Sequence, residues 1–196
     1  MSKDKLRRLA AIMFTDVVGY TSLMQKDEQA ALTLLNFHRK TMEDLTASHG
    51  GKIIQYYGDG SLNIFHSAVE AVQCALEMQQ IYRNEPKVPL RIGIHIGDIA
   101  YDTGDIYGDG VNVASRIETL GKTGAVLFSE RVYDDIKNHP EFQSKALGAF
   151  HFKNVEHPMQ VYALTNEGLV VPTPEDMKKG KLKPVDPNRR KKMILR

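Results

Sequence analysis

The chain lacks tryptophan altogether and has one cysteine, Cys74, among 196 residues. A lone thiol excludes an internal disulfide and any zinc site built on cysteines, and it fits a reducing cytoplasm. No apolar run approaches the roughly 18 residues that a membrane-spanning helix needs. The opening segment from Met1 to Arg8 is followed by Leu9-Ala10-Ala11-Ile12-Met13, and Asp16 ends that apolar run too early for a secretion signal. A cytoplasmic location without a membrane span is therefore expected. The net charge of +2 leaves no ground for nucleic acid as a partner. The seven histidines lack the paired short spacing of metal ligands. With 42% hydrophobic and 26% charged residues, the composition is that of an ordinary soluble domain. The length is ample for one hydrophobic core.

Periodicity gives the element order. The run Leu9 to Met13 predicts a buried strand ending at Asp16, followed by a turn through Gly19 into Tyr20 and Thr21. Asp27 is placed to cap a helix carrying Ala31, Leu34, Leu35, His38, Met42 and Leu45, which Gly50-Gly51 should stop. Two strand-like runs around Gly58-Asp59-Gly60 predict a hairpin with Asp59 at its tip. Ser67 and Glu70 have capping-box spacing and open a second helix. From Leu90 to Gly97 apolar residues alternate with Arg91, Gly93, His95 and Gly97. Glycines on one strand face mark a close approach by a backbone, a ligand or a subunit. A loop from Asp102 to Gly110 leads to a third helix, on which Asn112 and Arg116 share a face. A short strand from Ala125, a helix capped by Ser129 and two last strands complete an α+β domain. Its sheet is expected to be mainly antiparallel with helices on one face, leaving the glycine-bearing face to a partner or a cleft. Residues 1–168 form this domain in our reading. Residues 169–196, with prolines among many lysines and arginines, read as a basic tail or a linker to a further domain beyond residue 196.

If the hairpin pairs with the first strand, Asp16 and Asp59 meet at one end of the sheet. Two carboxylates holding two divalent ions form a clamp for in-line displacement at phosphorus. Each Asp taken alone is ordinary turn chemistry. Together with the rest of the pattern they resemble something specific. Phe14-Thr15-Asp16-Val17-Val18-Gly19-Tyr20-Thr21 is similar to the first-metal motif of class III nucleotidyl cyclases, and Gly58-Asp59-Gly60 to their second. Asp105 with the stretch Gly108 to Arg116 resembles their base-recognition and transition-state motif, and Arg91 to Gly97 the strand between. The resemblance runs from about Leu6 to Leu164 with all three motifs in order.

The resemblance implies a ferredoxin-like cyclase fold and a head-to-tail homodimer with shared active sites. Asp16 and Asp59 would bind two magnesium or manganese ions, with the Val17 carbonyl as a further ligand. Backbone amides at Val18, Gly19, Tyr20 and Thr21 would hold the triphosphate. Asn112 would orient the ribose, and Arg116 would stabilise charge at the α-phosphate. One subunit would bring Asp16 and Asp59; the other would bring Asn112, Arg116 and Asp105. The expected reaction is ATP to cyclic AMP and pyrophosphate. Gln55 departs from the family pattern, standing where adenine-specific members carry lysine, while Asp105 keeps the partner position. An amide both donates and accepts, so it accommodates more than one base. ATP is favoured; GTP, a pyrimidine triphosphate, or a catalytically silent nucleotide-binding module are the alternatives.

Overall fold

The computed structural model describes residues 7–102 and 105–178. The chain runs β1 (Arg7–Val17), α1 (Tyr20–Lys26), α2 (Glu28–Ser48), β2 (Lys52–Tyr57), β3 (Gly60–Phe65) and α3 (Ala68–Tyr82). It continues through β4 (Leu90–Asp102), β5 (Asp105–Tyr107), α4 (Asp109–Leu120), β6 (Val126–Ser129) and α5 (Glu130–Ile136). The last elements are β7 (Ser144–Phe150), β8 (Met159–Leu164) and α6 (Pro174–Lys178). The strands form one sheet in the order β2-β3-β1-β4-β6-β8-β7, with β5 folded back on β4. Every pairing is antiparallel except β4 with β6. The mainly antiparallel α+β architecture expected from the sequence is the one found.

Local signals set most boundaries. The Asp27 carboxylate accepts the Ala30 N–H at 3.0 Å and starts α2. Ser67 and Glu70 complete both bonds of the capping box at α3. Ser129 precedes α5 but does not cap it; its hydroxyl instead bonds the buried His95 Nδ1 at 2.8 Å. Helix α1 arises where the sequence predicts only a turn. Gly19, at φ 78°, takes the left-handed conformation that lets the chain leave β1 and enter it.

The sheet buries both faces. On one, Ala11 and Met13 of β1 and Leu90, Ile92, Ile94 and Ile96 of β4 pack with Met42 of α2, Val72 and Met78 of α3 and Val132 of α5. The other face, which the sequence reading leaves to a partner or a cleft, carries α4 of the same chain. Val113, Ile117 and Leu120 pack there against Leu127, Phe150 and Val161. Ala114 joins Ala10, Ile12, Leu62 and Ile99. The glycines of β4 make room for this helix. A Cβ on Gly93 would lie 2.2 Å from the Glu118 nitrogen, and one on Gly97 would lie 2.8 Å from the Gly110 Cα. The close backbone that these glycines announce belongs to the same chain.

The stretch read as the start of a tail also joins the fold. The Val170 N–H donates to the Gly124 carbonyl at 3.0 Å, and Met177 is buried beside α4 and the last strands. Asp176 pairs with Lys122 at 3.1 Å. Packing therefore continues past residue 168 as far as α6, using isolated apolar residues that carry no period. The remaining basic residues of the expected tail lie outside the described residues.

Since α4 rests on bare backbone at Gly93, Gly93→Ala should lower stability by about 1–3 kcal/mol through overpacking. Urea denaturation checks this, and a wild-type midpoint would mean that α4 is not seated on the strand.

Candidate active site

Register brings the two carboxylates together. β1 lies between β3 and β4, with Thr15 opposite Ser61 and Asp16 opposite Arg91. The tip of the β2–β3 hairpin therefore stands beside the end of β1, and Asp59 adjoins Asp16. A side chain at Gly60 would lie 2.6 Å from the Thr15 carbonyl oxygen, so glycine is what lets the hairpin approach. Below the carboxylates the Thr15 and Ser61 hydroxyls share a hydrogen bond of 2.8 Å that ties the two strands. Asp59 is half-buried, and its carboxyl is pushed above the ordinary value by burial first and by the Asp16 charge as well.

Arg91 and Glu118 complete the charge pattern, and sequence reasoning assigned a role to neither. Arg91 Nη2 donates to Asp16 Oδ2 at 2.6 Å, and its Nε lies 2.9 Å from Glu118 Oε1. The second contact is an ion pair whose angles fall short of a hydrogen bond, since both atoms are buried without one. Burial raises the Glu118 carboxyl to about 7, outweighing the neighbouring guanidinium. The alternation of β4 puts Arg91 on the glycine face; only the strand register puts it against Asp16.

Above these groups is a cavity of about 380 Å³ lined by Phe14, Asp16, Tyr57, Ser61, Asn112 and Glu118 among others. Phe14 and Tyr57 stack at its side with ring centres 6.0 Å apart. Asn112 of α4 thus shares a cavity with Asp16 of its own chain. Arg116, one turn further, does not: its guanidinium donates to the Lys153 carbonyl in the segment between β7 and β8.

The expected triphosphate cradle is only partly available. The Val18 N–H donates to the Pro89 carbonyl at 2.7 Å, so this amide is spent on joining the end of β1 to the start of β4. Val18 is corrected out of the cradle on that ground. Gly19, Tyr20 and Thr21 remain, with Gly19 at the N-cap of α1 and the other two in its first turn. First-turn N–H groups have no partner within a helix and favour anions. Val17 is buried in the core, 3% exposed.

The two residues expected to read the base are far apart. Gln55 is exposed on β2 at a register shift opposite Leu62, near the Asp59 end of the sheet. Asp105 opens β5, which pairs with the far end of β4, Asp102 against Asp105. Arg91 and Asp102 are eleven positions apart on one strand, roughly 35 Å. The Tyr107 hydroxyl donates to Asp105 at 3.2 Å.

The donor set at Asp16 and Asp59 suits hard divalent cations. Two adjacent carboxylates carry more negative charge than the single guanidinium of Arg91 offsets, and both offer oxygen ligands. Among the described residues no group of three or more His, Cys, Asp or Glu gathers into a metal cage. A cation here would complete its shell from backbone, water or ligand oxygens, as magnesium commonly does.

Comparison with known proteins gives one consistent result. Residues 4–166 match the family described as the adenylate and guanylate cyclase catalytic domain. A protein of Rhizobium meliloti (strain 1021), named as a candidate adenylate cyclase 3, is 38% identical over 171 residues, covering 83% of this chain and 29% of its own length. An adenylate cyclase of Streptomyces coelicolor (strain ATCC BAA-471 / A3(2) / M145) is 32% identical over 127 residues, 64% of this chain and 33% of its own. The chain thus spans about a third of the length of these curated relatives. Among solved structures, an adenylate/guanylate cyclase/hydrolase from Silicibacter pomeroyi is 35% identical with a TM-score of 0.76, covering 84% of this chain and all of that one. The adenylyl cyclase CyaB from P. aeruginosa is 26% identical with a TM-score of 0.73, covering 84% of this chain and 97% of that one.

The raised Glu118 value carries a sign. A folded-state carboxyl near 7 against an ordinary 4.5 means that the folded chain binds more protons across that window. Stability should therefore fall as pH rises from about 4.5 to about 7. Urea denaturation at a series of pH values should show this slope in the wild type and a flatter one in Glu118→Gln; equal slopes would put the titrating group elsewhere.

Proposed function

The chain belongs to the adenylate and guanylate cyclase catalytic-domain family, and from that premise we propose that it converts ATP to 3′,5′-cyclic AMP and pyrophosphate. The observation that supports the reading is the pairing of β1 with the β2–β3 hairpin, which brings Asp59 near Asp16, itself part of a cavity wall. Adenylate cyclase names among the relatives support it.

In this reading Asp16 and Asp59, with the Val17 carbonyl, hold two magnesium or manganese ions. Bound there, the ions would lower the pKa of the ribose 3′-hydroxyl and offset charge on the phosphates. The chain's own groups do the rest. Amides at Gly19, Tyr20 and Thr21 receive phosphate oxygens at the start of α1. The 3′-hydroxyl gives its proton to solvent and its oxygen forms a bond to the α-phosphorus as the bond to the β-phosphate oxygen breaks, and pyrophosphate departs with that electron pair. Asn112 orients the ribose. Arg116 offers a planar, permanently charged fork to the oxygens on which charge develops.

A second copy of the chain completes the site. Arg116 is turned to Lys153, and Asp105 lies at the opposite end of β4 from Arg91, so neither serves the Asp16 cavity of its own chain. Head-to-tail pairing brings the partner's Arg116 and Asp105 to Asp16, Asp59 and Gln55, while Asn112, expected from the partner, already lines the Asp16 cavity of its own chain. Gln55 then donates to adenine N1 while Asp105 accepts from the amino group. ATP is the favoured base, with weaker discrimination than a lysine would give. A reducing, nucleotide-rich cytoplasm suits both this substrate and the buried Cys74.

Incubating the purified chain with each nucleoside triphosphate and manganese should yield cyclic AMP as the main product by mass spectrometry. No cyclic product from any of the four would overturn the enzyme reading. Asp59→Asn and Arg116→Ala should each lower kcat on the order of 10²-fold or more. Mixed Asp16→Ala and Arg116→Ala chains should regain activity that each lacks; heterodimers that stay inactive would sink the shared site. Gln55→Lys should raise the ratio of kcat/KM for ATP over GTP, and an unchanged ratio would remove Gln55 from base reading.

A further inference from the structure

Asp59 sits on a two-residue hairpin tip, where its carboxylate has one local hold, a backbone N–H at Asp59 itself. Helix α2 adds a second. Arg39, one turn before Glu43, lies over the ring of Tyr56 with its guanidinium carbon 4.8 Å from the ring centre. Its Nη2 donates to the Gly58 carbonyl at 3.2 Å. The Tyr56 hydroxyl donates to Glu43 at 3.1 Å. Arg39 and Glu43 thus grip Tyr56 from the ring face and from the hydroxyl.

The Gly58 carbonyl belongs to the peptide plane whose nitrogen is that of Asp59. Gly58 is at φ 64°, in the left-handed region, with open space around it. The ladder closes the turn at Tyr57 and Gly60, and the bond from Arg39 is the side-chain contact that reaches this peptide from α2. The guanidinium Nε is buried without a hydrogen-bond partner, which leaves the ring face as the contact beneath the charge. Arginine suits the task because one rigid fork can stack and donate together. The same helix begins at Glu28, capped by Asp27, directly after α1, which carries the amides assigned to phosphate.

We propose that Arg39 is a positioning residue that holds the second metal carboxylate, Asp59, in register with Asp16. The inference rests on the divalent-cation site of the proposed function. Arg39 touches neither cation nor nucleotide; it acts through the Gly58 peptide. Losing such a support typically weakens metal binding by about 10- to 100-fold.

The test uses the full chain and Mn²⁺ itself, titrated with electron paramagnetic resonance of the free ion, beside the manganese dependence of activity. Arg39→Ala should weaken Mn²⁺ binding and raise the manganese concentration for half-maximal activity by about tenfold. At saturating manganese the KM for ATP should stay within about twofold of the wild type. Arg39→Lys, which keeps the charge without the fork, should recover little. Tyr56→Phe, which keeps the ring but loses the bond to Glu43, should fall between Arg39→Ala and the wild type. Wild-type manganese binding in Arg39→Ala, or full recovery in Arg39→Lys, would overturn the proposal. So would a wild-type chain that binds no Mn²⁺. Manganese binding that depends on Arg39 without any cyclic product would sink the cyclase reading and uphold this one.

Discussion

The antiparallel pairing of β1 with β4 is the constraint on which the rest depends. It runs unbroken from Arg7 against Ala100 to Val17 against Leu90. A shift of one residue would turn every side chain to the other face. Met13 and Ile94 would then leave the core under α2 and α3, and Arg91 would leave Asp16. The same register exposes Gly93 and Gly97 to α4, so the helix with Asn112 and Arg116 rests on strand backbone. One strand pair thus fixes the core, the seat of α4 and the first carboxylate together.

Charge at the site follows from that geometry. Asp16, Asp59 and Glu118 converge on one guanidinium, Arg91, and burial holds Asp59 and Glu118 above their ordinary carboxyl values. Arg91 is shared between Asp16 and Glu118, so one guanidinium does not offset all of the carboxylate charge in this partly dry setting, where opposite charge is most strongly attracted. Such an arrangement favours a divalent cation with its anionic ligand over either alone. The Glu118 side chain lies deeper than Asp16, so it bears the larger desolvation.

Strand β4 also explains why one chain makes half of the proposed site. It is thirteen residues long, with Asp16 beside its beginning and Asp105 beside its end. A straight strand of that length cannot bring its two ends to one nucleotide base. Two chains in opposite directions can, with the end of one β4 near the start of the other. Arg116 rests on the Lys153 carbonyl, an acceptor that it would exchange for phosphate in the proposed site.

Elements with strong local causes can be read directly from the order of residues. The Asp27 cap, the capping box at Ser67, the Gly58-Asp59 hairpin and the alternation of β4 are set by neighbours within a few residues, and all were legible. The motif residues Asp16, Asp59, Asn112 and Arg116 were legible as a pattern in order along the chain, and their chemistry belongs to the proposed function. Contacts across space come from the folded chain alone. Nothing local reveals that Arg91 faces Asp16, that Pro89 takes the Val18 amide, or that α4 covers the glycines, because these depend on register and packing between segments far apart in the chain. The packing of Val170 and Met177 was hidden for a similar reason, as single apolar residues among prolines and lysines have no period to read. Short-range energetics writes itself into sequence pattern; long-range contact is settled when the sheet closes.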